Sequence, residues 1–206
     1  MSFTSYSDLQ DAIAGYLARS DLTTQIPDFI RLCEVRLRRD LRIRQMLKSV
    51  TTATTASDDT VELPSDFLEA RDFIVVGNPV QPLNYQSPSL FNRNSRVAEA
   101  GKPIDYTILS NDFQLAPIPD GAYTVKLLYY AAPAFLSSSN TSNAFLANCP
   151  DLMLYGSLIE AEPYLMNDAR INTWGTMFDR AKNSLTTSDQ QGQYSGVPLV
   201  MTTTVR

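Results

Sequence analysis

Basic residues that could bind anions are concentrated in one segment of the chain. Residues 31–48 carry seven basic and two acidic side chains, a net charge of +5, whereas the whole chain has a net charge of −5. Most of these cations are arginines, whose planar guanidinium matches carboxylate and phosphate groups. The candidate binding residues are Arg31, Arg38, Arg39 and Arg42.

The same segment has the pattern of one amphipathic helix over residues 24–48. Its basic residues lie about 120° around the helix axis from an apolar stripe. We therefore expect this helix to pack on one side and to present cations on another. The apolar stripe consists of Ile26, Ile30, Cys33, Leu37 and Leu41.

The sequence leaves three possible environments for these cations. They could contact acidic patches on a protein partner or nucleic-acid phosphate, or they could be solvated and paired with Asp28, Glu34 and Asp40. The residues outside this segment have a net charge of −10. A general nucleic-acid binder would instead be basic overall. A protein that fits between other proteins is the favoured interpretation, and a DNA-binding module using residues 31–48 is the alternative.

Catalytic chemistry has little support in the sequence. The chain contains no histidine, which removes the usual general base and the commonest metal ligand. Its eight glycines form no phosphate-binding motif. The closely spaced carboxylates, Asp58 with Asp59 and Glu160 with Glu162, are typical of solvated turn or surface charges. We predict a protein that is not an enzyme and has no cofactor or metal site.

The two cysteines and the chain terminus indicate where the protein is made. Cys33 and Cys149 are too far apart in sequence to suggest a disulfide scaffold or a metal cluster, and Cys33 belongs to the apolar stripe. No secretory signal and no membrane-spanning run is visible. We expect a soluble protein synthesised in a reducing cytoplasm, with no membrane partner.

The N-terminal residues predict a first helix before the basic one. Ser7 and Gln10 have the spacing of a capping box, and Thr23 or Thr24 could cap the following helix, with Pro27 in its first turn. The buried face of the first helix is predicted to contain Leu9, Ile13, Tyr16 and Leu17.

From residue 49 onward the pattern changes to that of strands. Short runs of β-branched and aromatic residues, separated by turn residues, predict seven short strands in a small antiparallel sheet or sandwich. One helical turn, capped by Ser65, is expected to interrupt them within residues 63–70.

Helical spacing returns at Pro150, and Pro163 should kink or end that helix. A last helix is expected from about residue 167 to 185. Its inner face is predicted to contain Ile171, Trp174, Phe178, Ala181 and Leu185.

These elements predict an α+β fold. Residues 1–48 and 144–188 would form a discontinuous helical bundle, and residues 49–136 an inserted antiparallel β domain. Residues 189–206 would form an extended tail with strand propensity, either disordered or ordered on another subunit.

Three segments together resemble a known family. The first is SYSDLQDAIAGYLARSDLTTQIPDFIRLCEVRLRRDLRIRQM, followed by LPSDFLEARD and CPDLMLYGSLIEAEPYLMND. They occur in the order found in the head-to-tail adaptors, or connectors, of short-tailed phages, the group that includes the tail tubular protein A.

The resemblance implies a helical bundle with a β insertion and a structural role at the neck of the virion. Many copies, usually twelve, would form a ring beneath the portal protein and join it to tail or nozzle proteins. DNA would pass through the channel without specific binding. The C-terminal extension would reach the portal, which makes the expected anchors Val197, Leu199, Val200, Met201 and Val205.

Overall fold

Apart from one helical turn at Pro88–Phe91, helices and strands occupy separate parts of the chain, in agreement with the predicted α+β fold class. The computed structural model describes residues 4–93, 95–166 and 170–194. The helices are α1 (Tyr6–Leu17), α2 (Ile26–Asp40), α3 (Pro88–Phe91), α4 (Ala144–Asn148), α5 (Pro150–Leu165) and α6 (Ile171–Tyr194). The strands are β1 (Leu47–Ala53), β2 (Thr60–Glu62), β3 (Phe67–Val75), β4 (Gln81–Pro82), β5 (Asn84–Tyr85), β6 (Asp105–Leu109), β7 (Asp112–Ala116) and β8 (Thr124–Ala131).

The chain divides into two units. The helical unit comprises Met1–Gln45 and Pro133–Arg206, and the β unit comprises Met46–Ala132. Within the described residues, no helix is both long enough and apolar enough to cross a bilayer.

Helix α1 begins two residues earlier than predicted. Ser5 is the N-cap, and its hydroxyl accepts a hydrogen bond from the Asp8 N–H at 3.2 Å. The Asp8 carboxylate accepts one from the Ser5 N–H at 3.0 Å, which completes the capping box. The prediction that Ser7 and Gln10 form this box is therefore wrong. Leu9, Ile13 and Leu17 are buried as predicted, but Tyr16 is 41% exposed.

Helix α2 is shorter than the predicted helix over residues 24–48. Gln25, rather than Thr23 or Thr24, is its N-cap, and Leu41 has extended backbone angles that end it. A short 3₁₀ turn, Arg44–Met46, follows, and the chain then enters β1. Arg42 and Arg44 therefore lie beyond the helix. The apolar stripe is confirmed, since Ile26, Ile30, Cys33, Leu37 and Leu41 are all buried.

Helix α5 packs against both α2 and α6. A Cβ atom at Gly156 would collide with the Cys33 sulfur on α2 and would lie 3.0 Å from the Phe178 ring on α6. Only a residue without a side chain permits this approach. The helix continues two residues past Pro163 and ends at Leu165.

Helix α6 extends further than predicted. It runs to Tyr194, so residues 189–194 are helical and do not belong to an extended tail. The predicted inner-face residues Trp174 and Phe178 are buried. Residues 167–169, where this helix was expected to begin, lie outside the described residues, and so do residues 195–206.

The β unit contains two four-stranded sheets, with eight strands in its described residues rather than the predicted seven. The strand orders are β1-β8-β3-β4 and β2-β7-β6-β5. The described pairs are antiparallel except for β5 and β6, which are parallel over two residues.

Aromatic and aliphatic side chains from both sheets form the core of the β unit. Phe113 on β7 lies 4.8 Å from Phe73 on β3 and 5.6 Å from Phe67, measured between ring centroids. The predicted helical turn within residues 63–70 is wrong, because β3 begins at Phe67 and pairs with β8. Its two register shifts, at Phe67/Glu69 and Ala70/Asp72, interrupt the alternation that identifies a strand.

Candidate interaction site on the helical unit

The basic residues predicted to form one row fall into two groups. Arg31, Arg38 and Arg39 lie on α2, whereas Arg42 lies two residues beyond its last residue, Asp40. The Arg42 guanidinium donates to the carbonyl oxygens of Arg38 at 2.9 Å and Leu41 at 2.7 Å. It thereby satisfies carbonyl groups left unpaired at the C-terminus of α2.

Arg31 and Arg38 enclose an aromatic ring. Their guanidinium carbons lie 2.9 Å and 3.1 Å from the centroid of Phe135. Two guanidinium groups cannot occupy one face of the ring at these distances, so Phe135 is held between them. Such cation–π contacts attract the ring to both cations. The arrangement fixes the connection that follows Pro133 against α2.

Glu34 lies between these arginines in sequence and is 1% exposed. Its Oε1 atom accepts hydrogen bonds from the Leu136 N–H at 3.0 Å and from Asn143 Nδ2 at 2.6 Å. Asn143 is also the N-cap of α4 and accepts from the Phe145 and Leu146 N–H groups. Glu34 thus ties the connection and the start of α4 to α2.

The environment of Glu34 opposes its ionisation. Burial raises the pKa of this carboxyl above its ordinary value of 4.5, although the hydrogen bonds and the charges of Arg38 and Arg31 favour the ionised form. Its Oε2 atom is buried without a hydrogen-bond partner among the described residues, as is Nε of Arg38. Burial also lowers the pKa of Arg38, whose Nη2 donates to the Pro133 carbonyl oxygen.

Other charges of this region join helices within the unit. Arg36 forms an ion pair with Glu160 at 3.2 Å, and Asp40 forms one with Lys182 at 3.0 Å. Asp189 is buried and accepts a hydrogen bond from the Arg44 N–H at 2.8 Å. Glu160 therefore has a structural partner, and Asp189 belongs to the packed end of α6.

Arg39 differs from the other candidate arginines. It is exposed and makes no hydrogen bond or ion pair within residues 4–93, 95–166 and 170–194. Helical spacing places it on one stripe with Asp28, Leu32 and Val35. Leu32 is 51% exposed and lies beside Arg39 on this stripe. We call these four residues the outer stripe of α2.

Sequence reasoning missed Leu32 as a candidate, although a signal was present. Leu32 lies outside the apolar stripe. It is four residues after Asp28 and seven residues before Arg39, so the three share one side of a helix. The expected anchors Val197, Leu199, Val200, Met201 and Val205 lie outside the described residues.

A second exposed group of large side chains occurs where α1, α5 and α6 end or begin. Tyr16, Tyr164 and Met166 are all exposed, Met166 to 84%. Arg170 donates to the Tyr16 carbonyl oxygen at 2.9 Å and lies 5.0 Å from the Trp174 ring. Tyrosine, methionine and arginine are enriched at protein–protein interfaces. We call Tyr16, Tyr164 and Met166 the aromatic patch.

A comparison with known protein families shows which family the chain belongs to. A family model described as SU10 adaptor protein matches residues 4–202. The chain belongs to the SU10 adaptor protein family. Membership identifies a structural phage adaptor, as the three sequence segments predicted, from a family that is generally non-enzymatic. It implies contact with portal and tail proteins at the neck of the virion. A search of curated proteins found no significant match.

Proposed function

We propose that the protein is a head-to-tail adaptor that assembles as a ring beneath the portal and continues the DNA channel toward the tail. The observation that carries this proposal is the division of the four candidate arginines between internal and outward positions. Arg31, Arg38 and Arg42 contact the protein itself, whereas Arg39 and Leu32 are exposed together. An exposed leucine beside a cation suits a protein surface better than a phosphate backbone.

Ring assembly requires two unlike surfaces on each copy, because each contact in a closed ring is head-to-tail. The outer stripe of α2 and the aromatic patch are two such surfaces. In adaptors of the kind that the sequence resembles, the ring usually has twelve copies. The remaining residues, with their net charge of −10, would let DNA pass without the phosphate contacts that retain it.

The C-terminal residues supply the proposed contact with the portal. Residues 195–206, if extended, could reach about 40 Å from the end of α6. The apolar anchors would be Val197, Leu199, Val200, Met201 and Val205. The opposite end of the ring would receive the tail or nozzle proteins.

The test is the mass of the complex formed with the portal protein of the same phage. Light scattering on a sizing column would compare the full chain with a variant lacking residues 195–206, each alone and mixed with portal. We expect a large complex only for the full chain. Circular dichroism of the truncated variant should retain the helical signal, since the deletion leaves α6 (Ile171–Tyr194) intact. Equal binding by both forms would refute the tail contact, and absence of binding by both would refute the portal role.

A further inference from the structure

Strand β1 is a long edge strand of its sheet as the described residues define it. All seven of its residues pair with β8, from Leu47 with Tyr130 to Ala53 with Thr124, without a register shift. Within the described residues, no strand pairs with its other side. Its residues after Leu47 are exposed.

The three other edges of the two sheets are short. Strands β4 and β5 have two residues each, and β2 has three. Pro82 in β4 also lacks the N–H group that a further strand would need. Proteins usually shorten, bulge or charge an edge strand to prevent pairing with other chains. Strand β1 has none of these features except Lys48, which is engaged by Asp66 at 2.6 Å.

The pairing with β8 determines which backbone groups β1 presents at its free side. The Thr54 N–H donates to the Tyr123 carbonyl oxygen at 2.9 Å, just beyond the last pair of the ladder. Because hydrogen-bonded and non-bonded pairs alternate in an antiparallel ladder, Lys48, Val50 and Thr52 also direct their backbone groups toward β8. The alternate residues direct theirs to the free side, and they are Leu47, Ser49, Thr51 and Ala53.

We propose that two copies of this chain pair through β1 in antiparallel orientation, with Val50 opposite Val50. In this register Ser49 lies opposite Thr51, and Leu47 opposite Ala53, so every outward N–H and C=O group of the strand has a partner. The β1-containing sheet of one copy would then join the same sheet of the other copy, which gives one continuous sheet of eight strands.

The side chains of β1 are compatible with this register. The only charged residue, Lys48, lies opposite Thr52, so no like charges oppose each other. Val50 pairs with Leu127 in β8 and therefore faces the core side of its sheet, yet it is 37% exposed. Pairing would bring the two Val50 side chains together on that side and cover them.

The proposed pair differs from the contacts of a ring. A two-fold pair uses the same surface on both copies, whereas a cyclic ring uses two different surfaces. The pair would therefore be the state of the chain apart from the ring, in which each copy covers the exposed edge of the other.

The test is the mass of the full chain without portal. Light scattering should give twice the chain mass of 22.9 kDa. Thr51→Pro, which removes an outward N–H, should shift the mass to that of one chain. The control Thr51→Val retains the N–H and a β-branched side chain, so its mass should remain doubled. A single-chain mass for the wild type, or a doubled mass for a folded Thr51→Pro variant, would overturn the proposal.

A cross-link tests the register and does not depend on how well Thr51→Pro folds. Val50 would occupy a non-hydrogen-bonded pair, with Cα atoms about 4.5 Å apart, within the range of a disulfide. Val50→Cys should form a covalent dimer on mild oxidation, whereas Thr60→Cys, exposed on β2, should not. Failure of Val50→Cys to cross-link would contradict the register. Loss of the dimer on removing residues 195–206 would instead assign the edge to the C-terminal segment and overturn the proposal.

Discussion

The two units of this adaptor have different kinds of interior. In the β unit, Phe113 contacts Phe67, Phe73 and Tyr106, and the core around these rings is apolar. In the helical unit, the apolar stripe of α2 is accompanied by the buried carboxylate of Glu34 and the guanidinium groups around Phe135. The β unit also buries Asp105 and Thr107, but its described core consists mainly of rings and aliphatic side chains. The interior of the helical unit adds directional contacts between charges, amides and a ring.

The helical unit shows why the number of arginines in a segment overestimates the number of cations available to a partner. A buried hydrogen-bonded charge fixes the position of its neighbours, and removing one member leaves the others uncompensated. Glu34 and Arg38 hold the connection between Pro133 and α4 in this way. Arg39, one residue further along α2, is exposed and available to another molecule.

The largest expected effect is in the β unit. Phe113 is 1% exposed and makes three ring contacts within the unit's core, with Phe67, Phe73 and Tyr106. Phe113→Ala should lower the free energy of unfolding by about 3–5 kcal/mol, because it leaves a cavity among rings that cannot all move inward.

Amide hydrogen exchange would measure the Phe113→Ala effect, with faster exchange expected in β6 and β7. Tyr85→Ala is a matched control, since Tyr85 also contacts Tyr106 but is 57% exposed. A loss below about 1 kcal/mol for Phe113→Ala would contradict the description of this core.

A smaller effect is expected from Glu34→Gln in the helical unit, and it should depend on pH. The folded pKa of Glu34 is raised by burial, so its contribution to stability is present below its ordinary value of 4.5 and is lost as pH rises through the raised value. Glutamine retains an acceptor for Leu136 and Asn143 but does not titrate. The stability of the wild type should therefore fall relative to that of Glu34→Gln as pH rises above about 4.5.

The fluorescence of Trp174 would report this change. It is the only tryptophan of the chain and is buried in the helical unit. Denaturant unfolding followed at this residue from acid to neutral pH should give curves for the two proteins that diverge. A constant difference across the range would show that Glu34 does not titrate with a raised pKa.

The sequence predicted the α+β class and the buried stripe of α2, because both follow from hydrophobic periodicity. It did not predict where α2 ends. Leu41 continues the helical spacing, and arginine is a good helix former, so no local signal marks the stop. The chain leaves the helix to enter β1, whose pairing with β8 joins residues about eighty positions apart in sequence. Such distant pairing can override local propensity.

The candidate site was harder to predict than the fold. Arg31 and Arg38 were predicted to contact a partner, but both contact Phe135. This contact could not be predicted because Phe135 is about a hundred residues away in sequence. The helical residues 189–194 have little apolar periodicity, and Asp189 is held there by its hydrogen bond from Arg44. Both features depend on contacts between distant segments.

The most direct test of the division between internal and outward cations is to reverse neighbouring charges on α2. Arg38→Glu and Arg39→Glu make the same change one residue apart, and both would be measured by Trp174 fluorescence during unfolding and by light scattering with portal. Arg38→Glu should destabilise the helical unit, because it places a second carboxylate beside Glu34. Arg39→Glu should unfold like the wild type and fail to form the large complex. The opposite pattern, with Arg39→Glu unstable and Arg38→Glu folded but unable to assemble, would contradict the account.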